Sequence, residues 1–391
     1  MTRSPATHTW VLVSGDFVRH GGMDRANYEL ARWLAGEGAE VHVVTHRAEE
    51  DLRILPGVIV HEVPRPLGAH ALGSLLLDRV GRSVARAVVA RSPDARVVVN
   101  GGNCRYPDAN WVHAVHAAWP VRDGGAPLHV RAKNRVDKWR NRRDEGRALR
   151  AARVVLANSQ KTRRELIERV GVEASRVHVV YLGCDPEAAR PLDAQRIAEH
   201  RQALGVAASE SMILFVGALG HDTNKGLDTL LDAFSRWKQD GAPAVRLFAV
   251  GAAVPRWQRE VSARGLSGSV QLLGFRRDAG ELVGAADLLV APSRYDSYGL
   301  AVQEAICREV PAIVSSRAGV SERFPPPLRP LVLADPEDAN ELAITLARWS
   351  SDRGRFAADV ARFAGELRLQ TWARTAEQIV ERIEASAPAP R

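Results

Sequence analysis

The chain has 391 residues, 46% apolar and 26% charged, which suits a soluble protein of two or more domains with substantial cores. Its three cysteines (Cys104, Cys184 and Cys307) are far apart and show no CxxC pattern, which excludes a disulfide framework or a zinc site and favours a reducing cytoplasm. Nearly all of the net charge of +8 sits between Arg131 and Arg153, where ten Lys or Arg stand against Asp137, Asp144 and Glu145.

The N-terminal stretch MTRSPATHTWVLVSGDF has no long apolar core followed by a cleavage site, so no signal peptide is expected. No apolar run approaches the roughly 20 residues that span a bilayer. The expectation is a soluble chain, or a peripheral one at most.

In chain order, TWVLVSG reads as a strand, DRANYELARWLAGEG as a helix and EVHVVTH as a strand. Tyr28, Leu30, Ala31 and Leu34 share one helical stripe, and Gly36 and Gly38 punctuate its end. Further apolar runs follow at VIVHEV, RVVVNGG, NWVHAVH, RVVLANS and RVHVVYLG. The basic run 131–153 fits a solvated helical face, or a face that meets anionic lipid or an anionic acceptor. No zinc-finger, RRM-like or basic-zipper pattern supports specific nucleic-acid binding.

The alternation restarts near residue 211, with SMILFVGAL, AVRLFAVG, SVQLLGF, LLVAPS and PAIVSS as strands. GLDTLLDAFSRWKQDG, PRWQREVSARG, AGELVGAAD and GLAVQEAIC are the helices between them. Repeated βα alternation predicts parallel sheets covered by helices on both faces, hence an α/β protein of two doubly wound halves. A polar stretch from Pro186 to about Glu210 links them, TWARTAEQIVERIEASA reads as a terminal amphipathic helix, and the APAPR tail as frayed. Ligands of such sheets bind at the C-terminal ends of strands, and two facing sheets make a cleft.

PSRYDSYGLAVQEAICREVPAIVS lies at such an edge. Gly299 opens a helix whose first N–H groups favour anions, so Ser297, Tyr298, Gly299 and Leu300 offer backbone donors to a phosphate. Glu304, one turn in, suits paired hydroxyls such as those of a ribose, and Asp296 suits hydroxyls at the other end of the ligand. The bland alternative is that Asp296 caps the helix and Glu304 is solvated.

This span, with acids Asp296 and Glu304 separated by seven residues, resembles the donor-site signature of retaining glycosyltransferases of family 4. The resemblance covers most of the chain. GDFVRHGGMDRANYELARWLAGEGAEVHVVT resembles the family's glycine-rich loop and first helix. ILFVGALGHDTNKGLDTLLDAF resembles its phosphate loop and helix, and LLGFRRDAGELVGAADLLVAPS and AIVSSRAGVSE follow in order.

It implies the GT-B fold, two Rossmann-like domains facing across a cleft: an acceptor domain at 1–190, a donor domain at 191–370, and a terminal helix and tail at 371–391 packing back toward the first. It implies sugar transfer from a nucleotide-sugar donor with retention and without a metal or other cofactor. The acceptor would be a glycan, a lipid-linked glycan or a small molecule. The setting would be cytoplasmic, with 131–153 resting on an anionic membrane surface. Other GT-B activities, such as epimerisation or phosphorolysis, and a non-catalytic anionic-surface protein are the competing readings; no lysine-bearing pyridoxal motif is present.

Residue by residue, the resemblance gives Gly21 and Gly22 to the donor phosphate or acceptor. Lys225 goes to the diphosphate and Asp296 to the transferred sugar. His116, at the end of the strand holding His113 and His116, also faces that sugar. Phe275, followed by Arg276, would contact the base, or be an ordinary core phenylalanine. Two positions depart from the family. Ala218 replaces the arginine expected after Gly217, and Glu309 replaces the glycine expected before Val310-Pro311, where an altered turn is anticipated.

Overall fold

The computed structural model describes residues 8–66, 70–123 and 125–387. The chain divides into two compact units. The first comprises Met1–Trp119, Ala132–Gly183 and Gln370–Arg391; the second comprises Pro120–Arg131 and Cys184–Leu369. The sequence reading put 120–131 in the first domain. The structure groups it with the second because the Thr223 N–H donates to the Arg122 carbonyl (3.0 Å), Asn224 Nδ2 donates to the Pro120 carbonyl (2.8 Å), and Arg122 grips Glu337 with both terminal nitrogens (2.7 and 2.8 Å).

The strands of the first unit are β1 (Trp10–Val13), β2 (Asp16–Phe17), β3 (Val41–Thr45), β4 (Arg47–Ala48), β5 (Val58–Glu62), β6 (Arg96–Val99), β7 (Ala109–Val112), β8 (Val154–Ala157) and β9 (Val177–Val179). Seven form one sheet in the order β5-β3-β1-β6-β7-β8-β9, every pair parallel, while β2 and β4 pair separately. The inner strands are short apolar runs because both of their faces are covered; all of β1, β3, β7 and β8 is buried. The helix Gly22–Gly36 buries Tyr28, Leu30, Ala31 and Leu34, the stripe its periodicity announces. The terminal helix Trp372–Ala385 packs in this unit: Arg96 grips Glu384 (2.6 and 2.9 Å), and Arg153 donates to the Ile383 carbonyl (3.2 Å). Most of the tail read as frayed, 388–391, lies outside the described residues.

The second unit has β10 (Ser211–Val216), β11 (Val245–Val250), β12 (Val270–Gly274), β13 (Leu288–Ala291), β14 (Ala312–Ser315) and β15 (Val332–Leu333), ordered β12-β11-β10-β13-β14-β15 and all parallel. The strand order reverses between β10 and β13. That reversal is the switch point of a doubly wound sheet, where connections leave in opposite directions and open a crevice at the strands' C-terminal ends. The loops lining that crevice are residues 217–226 and 292–299. Among the described residues no helix is long and apolar enough to cross a membrane.

Three strands (β2, β4 and β15) and the helices Glu50–Arg53, His70–Arg91, Gln160–Glu165, Ala339–Ser351 and Arg353–Arg368 fall outside the elements read from sequence. The extra strands have two residues each, too few for any period to register.

Candidate active site

In the second unit, the loop after β10 carries Lys225 and the loop after β13 carries Asp296. Their side chains meet, with Lys225 Nζ 2.6 Å from Asp296 Oδ2, both partly open to solvent. Two features force the loops together. Gly226 has φ 75°, and a Cβ there would lie 2.1 Å from the Pro292 carbonyl oxygen, so only glycine fits. Arg294, almost fully buried, binds Asp228 with both terminal nitrogens (2.7 and 3.0 Å) and Thr229 Oγ1 at 2.8 Å, and its N–H donates to the Asn224 carbonyl (2.7 Å). A bidentate guanidinium–carboxylate pair out of water is a rigid clamp.

Gly299, at φ 99°, turns the chain into the helix Leu300–Cys307, which has no side-chain cap. The helix start therefore has no side-chain acceptor, and the N–H groups of Val302 and Gln303 both return to the Gly299 carbonyl, at 3.0 and 3.3 Å. Asp296 does not cap this helix. Its Oδ1 accepts the Tyr298 N–H at 3.3 Å, a local turn that sets the carboxylate toward Lys225. This corrects the expectation that Tyr298 offers its N–H to a phosphate, because the preceding aspartate already takes it. The Tyr298 phenol is buried beside Gln303 and Arg323 (Nη1 at 3.1 Å), and burial pushes its pKa up to about 12, a framework role. Ser297 is buried, and Glu304 is half-buried one turn into the helix.

Ala218 is exposed after β10 and supplies no charge. Phe275 follows β12 at the sheet edge and is 65% exposed, which removes the core alternative. Arg276 beside it is tied to Asp278 (2.8 and 2.6 Å).

Glu309 keeps the left-handed turn (φ 62°) that glycine would occupy, which corrects the expectation of an altered turn. The turn is held by Glu309 N–H to the Ile306 carbonyl (2.8 Å) and Val310 N–H to the Ala305 carbonyl (2.9 Å). Arg368 bonds both Glu309 Oε1 (3.0 Å) and the Cys307 carbonyl (2.8 Å). These contacts offset a backbone cost of about 1 kcal/mol.

In the first unit, Gly21 has φ 90° and Gly22 begins the helix Gly22–Gly36; both are exposed. Asp24 in that first turn is pushed up to about 6 by burial and by neighbouring Asp16, against the pull of Arg47 and Arg65. Strand β7 ends at Val112, so His113 and His116 both lie in the loop beyond it and not in the strand, which corrects the sequence expectation. His113 is buried with its ring 4.3 Å from that of Trp111, and burial lowers its pKa to about 3. His116 is half-buried, and burial holds its imidazole below the usual histidine range, so it is neutral at pH 7. Its loop is clamped by Glu145, whose carboxylate accepts the N–H groups of His116 (2.9 Å) and Ala117 (3.2 Å).

The structure thus joins Lys225, Asp296 and the start of the Leu300–Cys307 helix. It sets Phe275 apart at the sheet edge and puts Gly21, Gly22 and His116 in the other unit. Sequence reasoning missed Arg294 and Glu145. Arg294 stands inside the PSRYDSYG motif, a signal that was available. Glu145 shares a buried helix face with Ala148 and Leu149, at i+3 and i+4.

Comparison with known proteins gives two family matches: residues 20–188 to "Glycosyltransferase Family 4" and residues 210–352 to "Glycosyl transferases group 1". The D-inositol 3-phosphate glycosyltransferase of Jonesia denitrificans is 28% identical over 350 residues, 80% of this chain and 79% of the relative. The alpha-D-kanosaminyltransferase of Streptomyces kanamyceticus is 26% identical over 321 residues, 75% of this chain and 81% of the relative. Among solved structures, sucrose-phosphate synthase from Thermosynechococcus elongatus superposes with a TM-score of 0.76 at 19% identity, covering 97% of this chain and 100% of that one. Anabaena Alr3699/HepE in complex with UDP and glucose superposes with a TM-score of 0.73 at 19% identity, with the same coverages.

Proposed function

The chain belongs to glycosyltransferase family 4, and we propose that it moves a sugar from a nucleoside-diphosphate sugar to an acceptor hydroxyl with retention of anomeric configuration and without a metal ion. The observation that carries this reading is the Lys225–Asp296 pair at the switch point, beside an uncapped helix start. As the bond from the anomeric carbon to the phosphate oxygen breaks, its electron pair goes to the diphosphate. Lys225 and the first N–H groups of the Leu300–Cys307 helix lie where that charge develops and supply the positive field a metal would otherwise bring.

Lys225 also holds Asp296 in place to accept hydroxyls of the sugar. Glu304 takes the ribose hydroxyls and Phe275 the base. Gly21 and Gly22 let a ligand approach the backbone, and we assign neutral His116 to the transferred sugar. The acceptor oxygen bonds to the anomeric carbon on the face the phosphate leaves, and its proton passes to a leaving phosphate oxygen. The name of one relative, D-inositol 3-phosphate glycosyltransferase, favours a phosphorylated polyol as acceptor. The same reading places the enzyme in the cytoplasm, with the basic segment 131–153 against the inner face of the membrane.

Lys225→Ala and Glu304→Ala are each expected to cut transfer at least about tenfold, roughly 1.4 kcal/mol of barrier, in variants that melt like the parent. Folded variants with near-normal rates would remove the assignment.

A further inference from the structure

The helix Leu128–Ala151 and the elements packed on it in the first unit form two adjoining cationic basins. The first, about 460 Å³, is lined by Arg135, Lys138, Arg142, Arg143, Arg150 and Arg169, with Trp139 among them. The second, about 660 Å³, shares Arg150 and adds Arg86, Arg105 and Arg147, together with Arg82, which is paired with Asp78 (2.8 Å). No carboxylate lines either basin.

Two of the helix's three acids are turned to other uses. Asp137 pairs with Lys133 (2.8 Å) and Arg140 (3.9 Å), neither of which lines a basin. Glu145 is buried against the His116 loop. Among the described residues, none of the six first-basin cations forms an ion pair. Like charges gathered without an ion-paired carboxylate repel one another, and a bound anion relieves that repulsion.

The extent and the apolar content of this face identify the anion's source. Two basins joined at Arg150 span more than one phosphate. Trp139 is 64% exposed with the Arg143 guanidinium 5.5 Å over its ring, and Val136 is 65% exposed three residues away, so both rise from the helix amid the cations. An amphipathic ring and an apolar side chain among cations match the headgroup–acyl boundary of a bilayer, whereas a polyanion free in water gains nothing from Val136.

We infer that this face is a built docking site for an anionic phospholipid surface: lipid phosphates enter the two basins and Trp139 inserts at the boundary. The inference rests on the reading of 131–153 as membrane-facing and extends it to Arg169, Arg105 and Arg86 outside that segment. Ala117 lines the first basin, so the docked face adjoins the loop that carries His116.

The test is sedimentation of the full chain with phosphatidylcholine vesicles, with and without phosphatidylglycerol. Each cation at an anionic surface is worth about fivefold in partitioning, so Arg142→Ser with Arg169→Ser should lower binding roughly 25-fold. Trp139→Ala should weaken it, and Lys133→Ser, outside the basins, should change it less than about twofold. Equal loss with Lys133→Ser and none with Arg169→Ser would leave only diffuse attraction to the segment and overturn the built site. Equal binding to neutral vesicles, or binding to heparin but not to anionic vesicles, would overturn the lipid assignment. Melting shifts with nucleoside diphosphates, recorded on the same variants, report the donor site separately, so failure of docking and failure of the transferase reading are distinguishable.

Discussion

At the scale of single residues, the site depends on how closely two loops approach. Gly226 touches the Pro292 carbonyl, and Arg294 ties both loops to the helix Leu227–Gln239 through Asp228. Gly226→Ala must move one loop, at a cost of a few kcal/mol, because both its left-handed φ and the space forbid a methyl group. Lys225 and Asp296 would separate with it. The expected outcome is a lower melting temperature and loss of donor binding together. A variant that melts and binds normally would show that the loops adapt. Spacing put Asp296, Gly299 and Glu304 at a strand–loop–helix corner but left a cap and a solvated acid as the alternative, and the family resemblance decided between the two. It could not announce that the Tyr298 N–H is spent on Asp296, since that depends on where one carboxylate turns.

At the scale of elements, the helix Leu128–Ala151 was legible as a basic helix, but not as the support of His116. Counting charges made Glu145 one of three acids in a cationic run; its burial made it a clamp. Burial raises the Glu145 pKa to about 7, against the pull of the two N–H donors and Arg142. A carboxyl group whose folded pKa lies above its unfolded value binds the extra proton in the folded state between those two values. Its contribution is therefore fully present below about pH 4.5 and is lost as pH rises to about 7. The loss is on the order of 3 kcal/mol. Denaturant unfolding across that window should show a steeper fall for the parent than for Glu145→Gln. Asp24 acts in the same sense in both proteins and cancels in the difference. Identical slopes would mean that Glu145 is ionised throughout.

At the scale of the whole molecule, the GT-B class was legible because its signal is repetitive. Twelve of the observed strands coincide with apolar runs read from sequence, and each unit reverses its strand order beside its first strand. The excursion of 120–131 into the second unit was not legible. It rests on backbone carbonyls at Pro120 and Arg122 and one ion pair to Glu337, none of which leaves a periodic trace. The proposed function puts a nucleoside-diphosphate site in the second unit, at the switch point that holds Lys225 and Asp296. The decisive measurement is thermal melting with UDP, GDP, ADP, CDP and dTDP in the presence of EDTA, on the parent and on Lys225→Ala. A ligand at 100 times its Kd adds about 2.7 kcal/mol to a folded state that binds it. The account predicts a clear rise with at least one diphosphate, kept in EDTA and lost in Lys225→Ala. No rise with any diphosphate, or an equal rise in Lys225→Ala, would contradict it.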